Sequence, residues 1–271
     1  MRWECEPISH PWLAEMPTSI VQIYTPEGFV VAADGREYDI TSGETLADNI
    51  RKIFPVSGKG RALLYSISGT NKLTSLGGVK DDLNLLCLLH DSVSKRSDSR
   101  CKSLWHYAEA LIDAIDLPEH EVDDEPTVIY LDGYYDRRSK RGTIKLFHNG
   151  EKSPQISVDD PTQGKIEGCG SNVVLNALRD NLEITAKYRT PSWRLQRSEI
   201  TLVTALDLAR SYIGAQCDDE VRQLDPKWFK SIGGVGHLCV LRASGEFEWM
   251  FRNVQTGDWI ACDPPTGPTV P

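Results

Sequence analysis

The chain has 271 residues, with 30 Lys+Arg against 39 Asp+Glu for a formal net charge of −9. That balance argues against a nucleic-acid binder, which presents a basic face, and against anchoring on anionic lipid. No run approaches the ~20 apolar residues of a spanning helix, and residues 1–16 carry acids and prolines where a signal peptide needs an apolar core, so a cytoplasmic protein with no nucleic-acid or membrane partner is expected. Seven cysteines, an odd number without a CxxC pair, fit reduced thiols better than a disulfide frame or a zinc site. The histidines lack metal-ligand spacing, and no metal or cofactor is expected.

In chain order, residues 1–17, with Pro7, Pro11 and Pro17, read as a loose leader. Two β-rich runs follow at 19–24 and 29–34, joined by Thr25-Pro26-Glu27-Gly28. Proline at the second turn position with glycine close behind punctuates a hairpin. Short strands are expected at 37–40 and 50–54, and a longer one at 62–69. Helical spacing begins at 81–93, through Leu83, Leu86 and Leu89, and returns at 103–115 through Leu104, Tyr107, Leu111 and Ile115. Runs 127–133 and 143–150 read as a hairpin across a charged loop, 171–181 and 199–216 as helices, and 237–243, 247–252 and 258–262 as closing strands. Grouped strands and grouped helices favour an antiparallel α+β arrangement over βαβ alternation. Two antiparallel sheets covered by helix pairs, a four-layer α/β/β/α sandwich, satisfy that order.

Thr18 opens a stretch in which Asp34 lies sixteen residues on, followed by Gly35 and Arg36. It resembles the start of a mature proteasome β subunit or of its bacterial relative, the HslV protease. Asn49-Ile50-Arg51-Lys52-Ile53 is similar to the segment carrying that family's catalytic lysine, with a two-residue insertion, and puts Lys52 at the position. Ser68-Gly69-Thr70 resembles the family's oxyanion loop, and Gly168-Cys169-Gly170-Ser171-Asn172 its Gly-Ser-Gly motif. Residues 232–240, with Gly233, Gly234 and Gly236, resemble its final glycine turn and core strand. No phosphate-loop pattern surrounds those glycines.

The resemblance implies an N-terminal-nucleophile (Ntn) hydrolase, with residues 18–271 as one domain behind the leader at 1–17. A threonine hydroxyl is a weak nucleophile and needs a base within hydrogen-bond reach. In this family the base is the threonine's own freed α-amino group, whose ordinary pKa of ~7.7–8.0 suits proton transfer near neutrality. Lys52 would stabilise the hydroxyl oxygen as it loses its proton, and Asp34 would hold Lys52. The Gly69 amide would meet the oxyanion, where a side chain would block the carbonyl's approach. Cys169 and Gly170 would support the site. The same resemblance implies self-association into rings or stacks, a peptide substrate and an ATPase unfoldase as partner.

Three departures qualify the pattern. Pro17 precedes Thr18, where the family has Gly or only an initiator Met, and proline restricts the bond at which self-cleavage would occur. Cys169 stands where the family has serine. The family's acidic residue before the last glycine turn has two candidates, Asp219 and Asp225. Beside the threonine peptidase stand two alternatives, an inactive scaffold that keeps its leader and an Ntn hydrolase of small amides.

Overall fold

The computed structural model describes residues 18–39, 42–58, 61–69, 72–75, 83–84, 103–115, 120–121, 127–146 and 154–263. The expected leader, and all of the expected helix at 81–93 except residues 83–84, lie outside them. The strands are β1 (Ile20–Thr25), β2 (Gly28–Ala33), β3 (Glu37–Asp39), β4 (Glu44–Ala47), β5 (Ile53–Gly58), β6 (Arg61–Ser68), β7 (Lys72–Ser75), β8 (Leu83–Asn84), β9 (His120–Glu121), β10 (Val128–Tyr135), β11 (Arg138–Lys145), β12 (Gln155–Asp159), β13 (Ile166–Cys169), β14 (His237–Arg242), β15 (Phe247–Arg252) and β16 (Trp259–Cys262). The helices are α1 (Leu104–Ile115), α2 (Asn172–Arg179), α3 (Leu202–Gln216) and α4 (Asp219–Arg222). Every described strand pairing is antiparallel, so the protein is a mixed α/β chain with antiparallel sheets.

The chain divides into two compact units, the first from residues up to Ile53 and from Thr162 to Pro264. Its sheet runs β13-β1-β2-β14-β15-β16. β1 and β2 are joined by the two-residue turn Pro26-Glu27, with Thr25 opposite Gly28 and Ile20 opposite Ala33. Val21, Ile23, Val30, Ala32, Leu238 and Val240 pack on Ala205, Leu208, Ala209 and Ile213 of α3. Each fully buried Val, Leu or Ile side chain among them contributes about 1.5–3 kcal/mol. Helix α3 begins at Leu202, three residues later than expected, because Glu199 turns back to cap the Gln196 amide in a short 3-10 turn at 2.7 Å. Thr201 then caps the helix, and the Glu27 carboxylate accepts from the Leu202 amide at 2.6 Å. A carboxylate suits the positive end of a helix.

The second unit is built from Phe54–Pro161. Its main sheet runs β12-β11-β10-β6-β5. Strand β5 begins at Ile53 rather than residue 50 and contains Pro55, whose missing donor an edge strand tolerates. The expected charged loop between β10 and β11 is instead strand closed by a two-residue turn, Asp136-Arg137, since Tyr135 pairs with Arg138. Arg141 enters the sheet because Asp132, directly opposite, accepts from its Nε at 2.7 Å within the interior. Leu83–Asn84 pairs as a strand with Lys72–Leu73 where helix was expected. No described helix is long and apolar enough to cross a membrane.

Candidate functional site

The β1–β2 hairpin sets the first contact. With Ile20 opposite Ala33, the next pair outward is Ser19 and Asp34. The Asp34 amide donates to the Ser19 carbonyl at 3.0 Å, and the Ser19 amide donates to Asp34 Oδ1 at 2.8 Å. Lys52 Nζ donates to the same oxygen at 2.9 Å. The amides of Arg36 and Gly233 donate to Asp34 Oδ2 at 3.2 and 3.1 Å. Asp34 is completely buried and Lys52 almost so. A carboxylate in the interior is tolerated only when paired and hydrogen-bonded, and four donors with one cation meet that demand.

The other side of Thr18 is held from β13. Ile20 pairs with Cys169, and Cys169 Sγ donates to the Thr18 carbonyl oxygen at 3.2 Å. The peptide joining Thr18 to Ser19 is therefore gripped at both ends, its carbonyl by Cys169 and its amide by Asp34. A peptide is a rigid plane, so this grip orients the Thr18 α-carbon. Gly170 follows with φ +129°, and a Cβ there would lie 2.6 Å from Ser19 Oγ and 2.8 Å from the Tyr212 hydroxyl. Only glycine fits that backbone and that space.

Ser171 caps α2, accepting from the Val174 amide at 3.2 Å, and donates to Asp225 Oδ2 at 2.6 Å. Gln216 Nε2 donates to the Ser171 carbonyl at 3.0 Å, and the Tyr212 hydroxyl to the Cys169 carbonyl at 3.3 Å. One turn of α3 thus holds the segment 169–171. Of the two acidic candidates, Asp225 is buried against Ser171, whereas Asp219 is exposed and pairs with Arg222. The sequence offers Asp225 only as one of two candidates and assigns Ser171 no role of its own. The serine after Gly170, at the start of a helical run, was the available signal.

The last glycine turn closes around Asp34. Gly35 donates to the Gly233 carbonyl at 3.1 Å, and Val235 to the Asp48 carbonyl at 2.7 Å. Gly234 has φ +74°, and a Cβ on it would approach the Asp48 carbonyl oxygen to 2.4 Å. Arg36 clasps Asp48 through Nε at 2.6 Å and Nη2 at 3.2 Å.

Burial, reinforced by the charges of Arg51 and Lys52, pushes His237 from its ordinary 6.5 down to about 4. Its Nε2 is buried without a hydrogen-bond partner among the described residues. The imidazole is therefore neutral near pH 7. Burial, with the Asp34 charge adding to it, pushes the Cys217 thiol up to about 12. It is no thiolate nucleophile at neutral pH. Among the described residues no group of three His, Cys, Asp or Glu is placed to hold a metal ion.

Asp34, Lys52, Cys169, Gly170 and the Thr18 backbone thus come together in the first unit. Gly69, at the end of β6 with φ +106°, belongs to the second unit.

No family model matches the chain, and no curated protein matches it. Among solved structures, the Gly-1 mutant of Anbu from Hyphomicrobium sp. strain MC1 is similar at 14% identity and a TM-score of 0.54, over 91% of this chain and 89% of that one. Anbu (ancestral beta-subunit) from Yersinia bercovieri is similar at 12% identity and a TM-score of 0.50, over 84% of each chain. At such identities the likeness is one of fold alone. The resemblance to proteasome β subunits and HslV is corrected accordingly. These neighbours are Anbu proteins, and no family model or curated protein supports an HslV-like assignment.

Proposed function

We propose that the chain is an N-terminal-threonine hydrolase on an Anbu-like fold, cleaving peptide or amide bonds through an acyl-enzyme on Thr18. The observation that carries this reading is the two-ended grip on the Thr18–Ser19 peptide, by Cys169 Sγ at 3.2 Å and by the Asp34 carboxylate that also holds Lys52. Thr18 Oγ1 is the nucleophile. The freed Thr18 amine takes the hydroxyl proton and later delivers it to the leaving amine. Lys52 stabilises the developing alkoxide, since a buried cation favours the charged form of its neighbour. Asp34 keeps Lys52 in place, while Cys169 and Gly170 support the backbone beside it. Gly69 as oxyanion donor is carried over from the sequence resemblance, as is the four-layer α/β/β/α arrangement of residues 18–271 behind a leader at 1–17. Assembly into rings or stacks, which would hide the site from folded proteins, belongs to the same carry-over, while a cytoplasmic setting rests on the composition of the chain.

A second reading is a catalytically inactive scaffold. Pro17 favours it, because proline at the bond preceding Thr18 disfavours self-cleavage there. Intact mass and N-terminal sequence of the purified chain, beside a Thr18→Ala variant, separate the two. A wild-type chain starting at Thr18 and a variant that keeps residues 1–17 support self-release. Retention of residues 1–17 in both favours the scaffold.

A further inference from the structure

The segment between α3 and β14 supplies two of the site's contacts. Asp225, the partner of Ser171, donates its own amide to the Arg222 carbonyl at 3.0 Å. Gly233, whose amide donates to Asp34 Oδ2 at 3.1 Å, ends the same segment. Arg222, the last residue of α4, has a nearly buried guanidinium. Its Nη1 donates to the Ile232 carbonyl at 3.0 Å and to the Phe229 carbonyl, and it stacks over the Phe229 ring at 4.5 Å from the centroid. Its Nε and Nη2 hold Asp219 Oδ1 at 3.0 and 2.6 Å. From the other side, Arg36 Nη1 reaches the Lys230 carbonyl at 3.2 Å.

Residues 226–232 have no helix or strand ladder to fix their course. The turn carries its own backbone hydrogen bonds, from the Trp228 amide to the Asp225 carbonyl at 3.2 Å and from the Ser231 and Ile232 amides to the Trp228 carbonyl at 3.2 and 3.1 Å. Carbonyl groups held by a buried guanidinium tie that turn to α4. A planar fork bonds several acceptors at fixed angles, which the point charge of lysine cannot reproduce. We propose that Arg222 is a positioning residue, fixing the 226–232 turn so that the Gly233 amide reaches Asp34 and Asp225 reaches Ser171. Its bearing on hydrolysis rests on the reading of the site as a threonine hydrolase; its bearing on geometry does not.

The test is amide hydrogen exchange of the full chain, read on peptides spanning residues 226–236, in wild type, Arg222→Met and Arg222→Lys. The Met variant is expected to raise exchange there about tenfold, with β1 and β2 at wild-type rates and the Lys variant intermediate. Unchanged exchange at 226–236 overturns the proposal, and so does an equal rise across β1, β2 and α3, which would mark general loosening. Should Arg222→Met fail to fold, Arg222→Lys carries the test with the same two overturning outcomes. In a chain beginning at Thr18, Arg222→Lys should lower kcat and leave KM near wild type; an unchanged kcat removes its bearing on catalysis. A wild type without hydrolysis counts against the functional reading, while the exchange result still decides the positioning role.

Discussion

The Lys52 ammonium lies 2.9 Å from Asp34 Oδ1, the same oxygen that accepts the Ser19 amide. Removing one member of a buried ion pair strands the other in the interior. Asp34→Asn should therefore destabilise the protein by about 3–5 kcal/mol in urea unfolding. Adding Lys52→Met should recover part of the loss, because no uncompensated charge remains. A loss within experimental error for Asp34→Asn would contradict a dry, coupled pair.

Ser171 both caps α2 and donates to Asp225 over a separation of 54 residues. Ser171→Ala should cost about 2–3 kcal/mol, combining a lost cap with a buried carboxylate short of a donor. Ser171→Thr keeps the hydroxyl and should lie closer to wild type. Equal losses for the two variants would show that volume, not the hydroxyl, governs this position.

Gly170 admits no side chain at φ +129° with Ser19 Oγ and the Tyr212 hydroxyl so close. Gly170→Ala should lower stability by about 2–4 kcal/mol through backbone strain and displacement of Ser19. Thermal unfolding reads this directly. Adding Tyr212→Phe, which removes one of the two crowding atoms, should restore a measurable part.

His237 sets a pH dependence. Its folded value of about 4 lies below the ordinary 6.5, so between those limits the unfolded chain binds more protons than the folded one. Its contribution to stability is intact above pH 6.5 and lost as pH falls towards 4, by about 3 kcal/mol at most. His237→Asn, which does not charge, should flatten this part of the stability curve. An unaltered slope in denaturant midpoints across that range would remove His237 from the account.

The hairpin was legible from its Pro-Glu-Gly turn, whereas the facing of Ser19 and Asp34 comes from the register that the pairing sets. Lys52 was legible only as a resemblance. Spacing suggested a strand through residue 52, whereas the chain stays irregular until Ile53, the Ile50 amide donating to the Gly35 carbonyl at 2.9 Å. Strand β13 escaped notice because Ile166–Cys169 shows no alternation of buried and exposed positions and is a strand only by pairing with β1. Asp225 could not be told from Asp219, since what separates them is burial against a serine far away in sequence. The charged residues of β11 read as a loop in sequence, because the partner that admits Arg141 to the sheet, Asp132, is defined only by strand pairing.

Hydrolysis by a chain prepared to begin at Thr18 is the most direct measurement. It would be assayed against fluorogenic peptides and small amides, beside Thr18→Ala and an N-acetylated form of the same chain. Turnover by the free-amine chain, abolished in both controls, is the expected result, and substrate preference would separate a peptidase from a small-amide hydrolase. No turnover by a folded chain that begins at Thr18, or turnover that survives acetylation of its amine, would contradict the assignment.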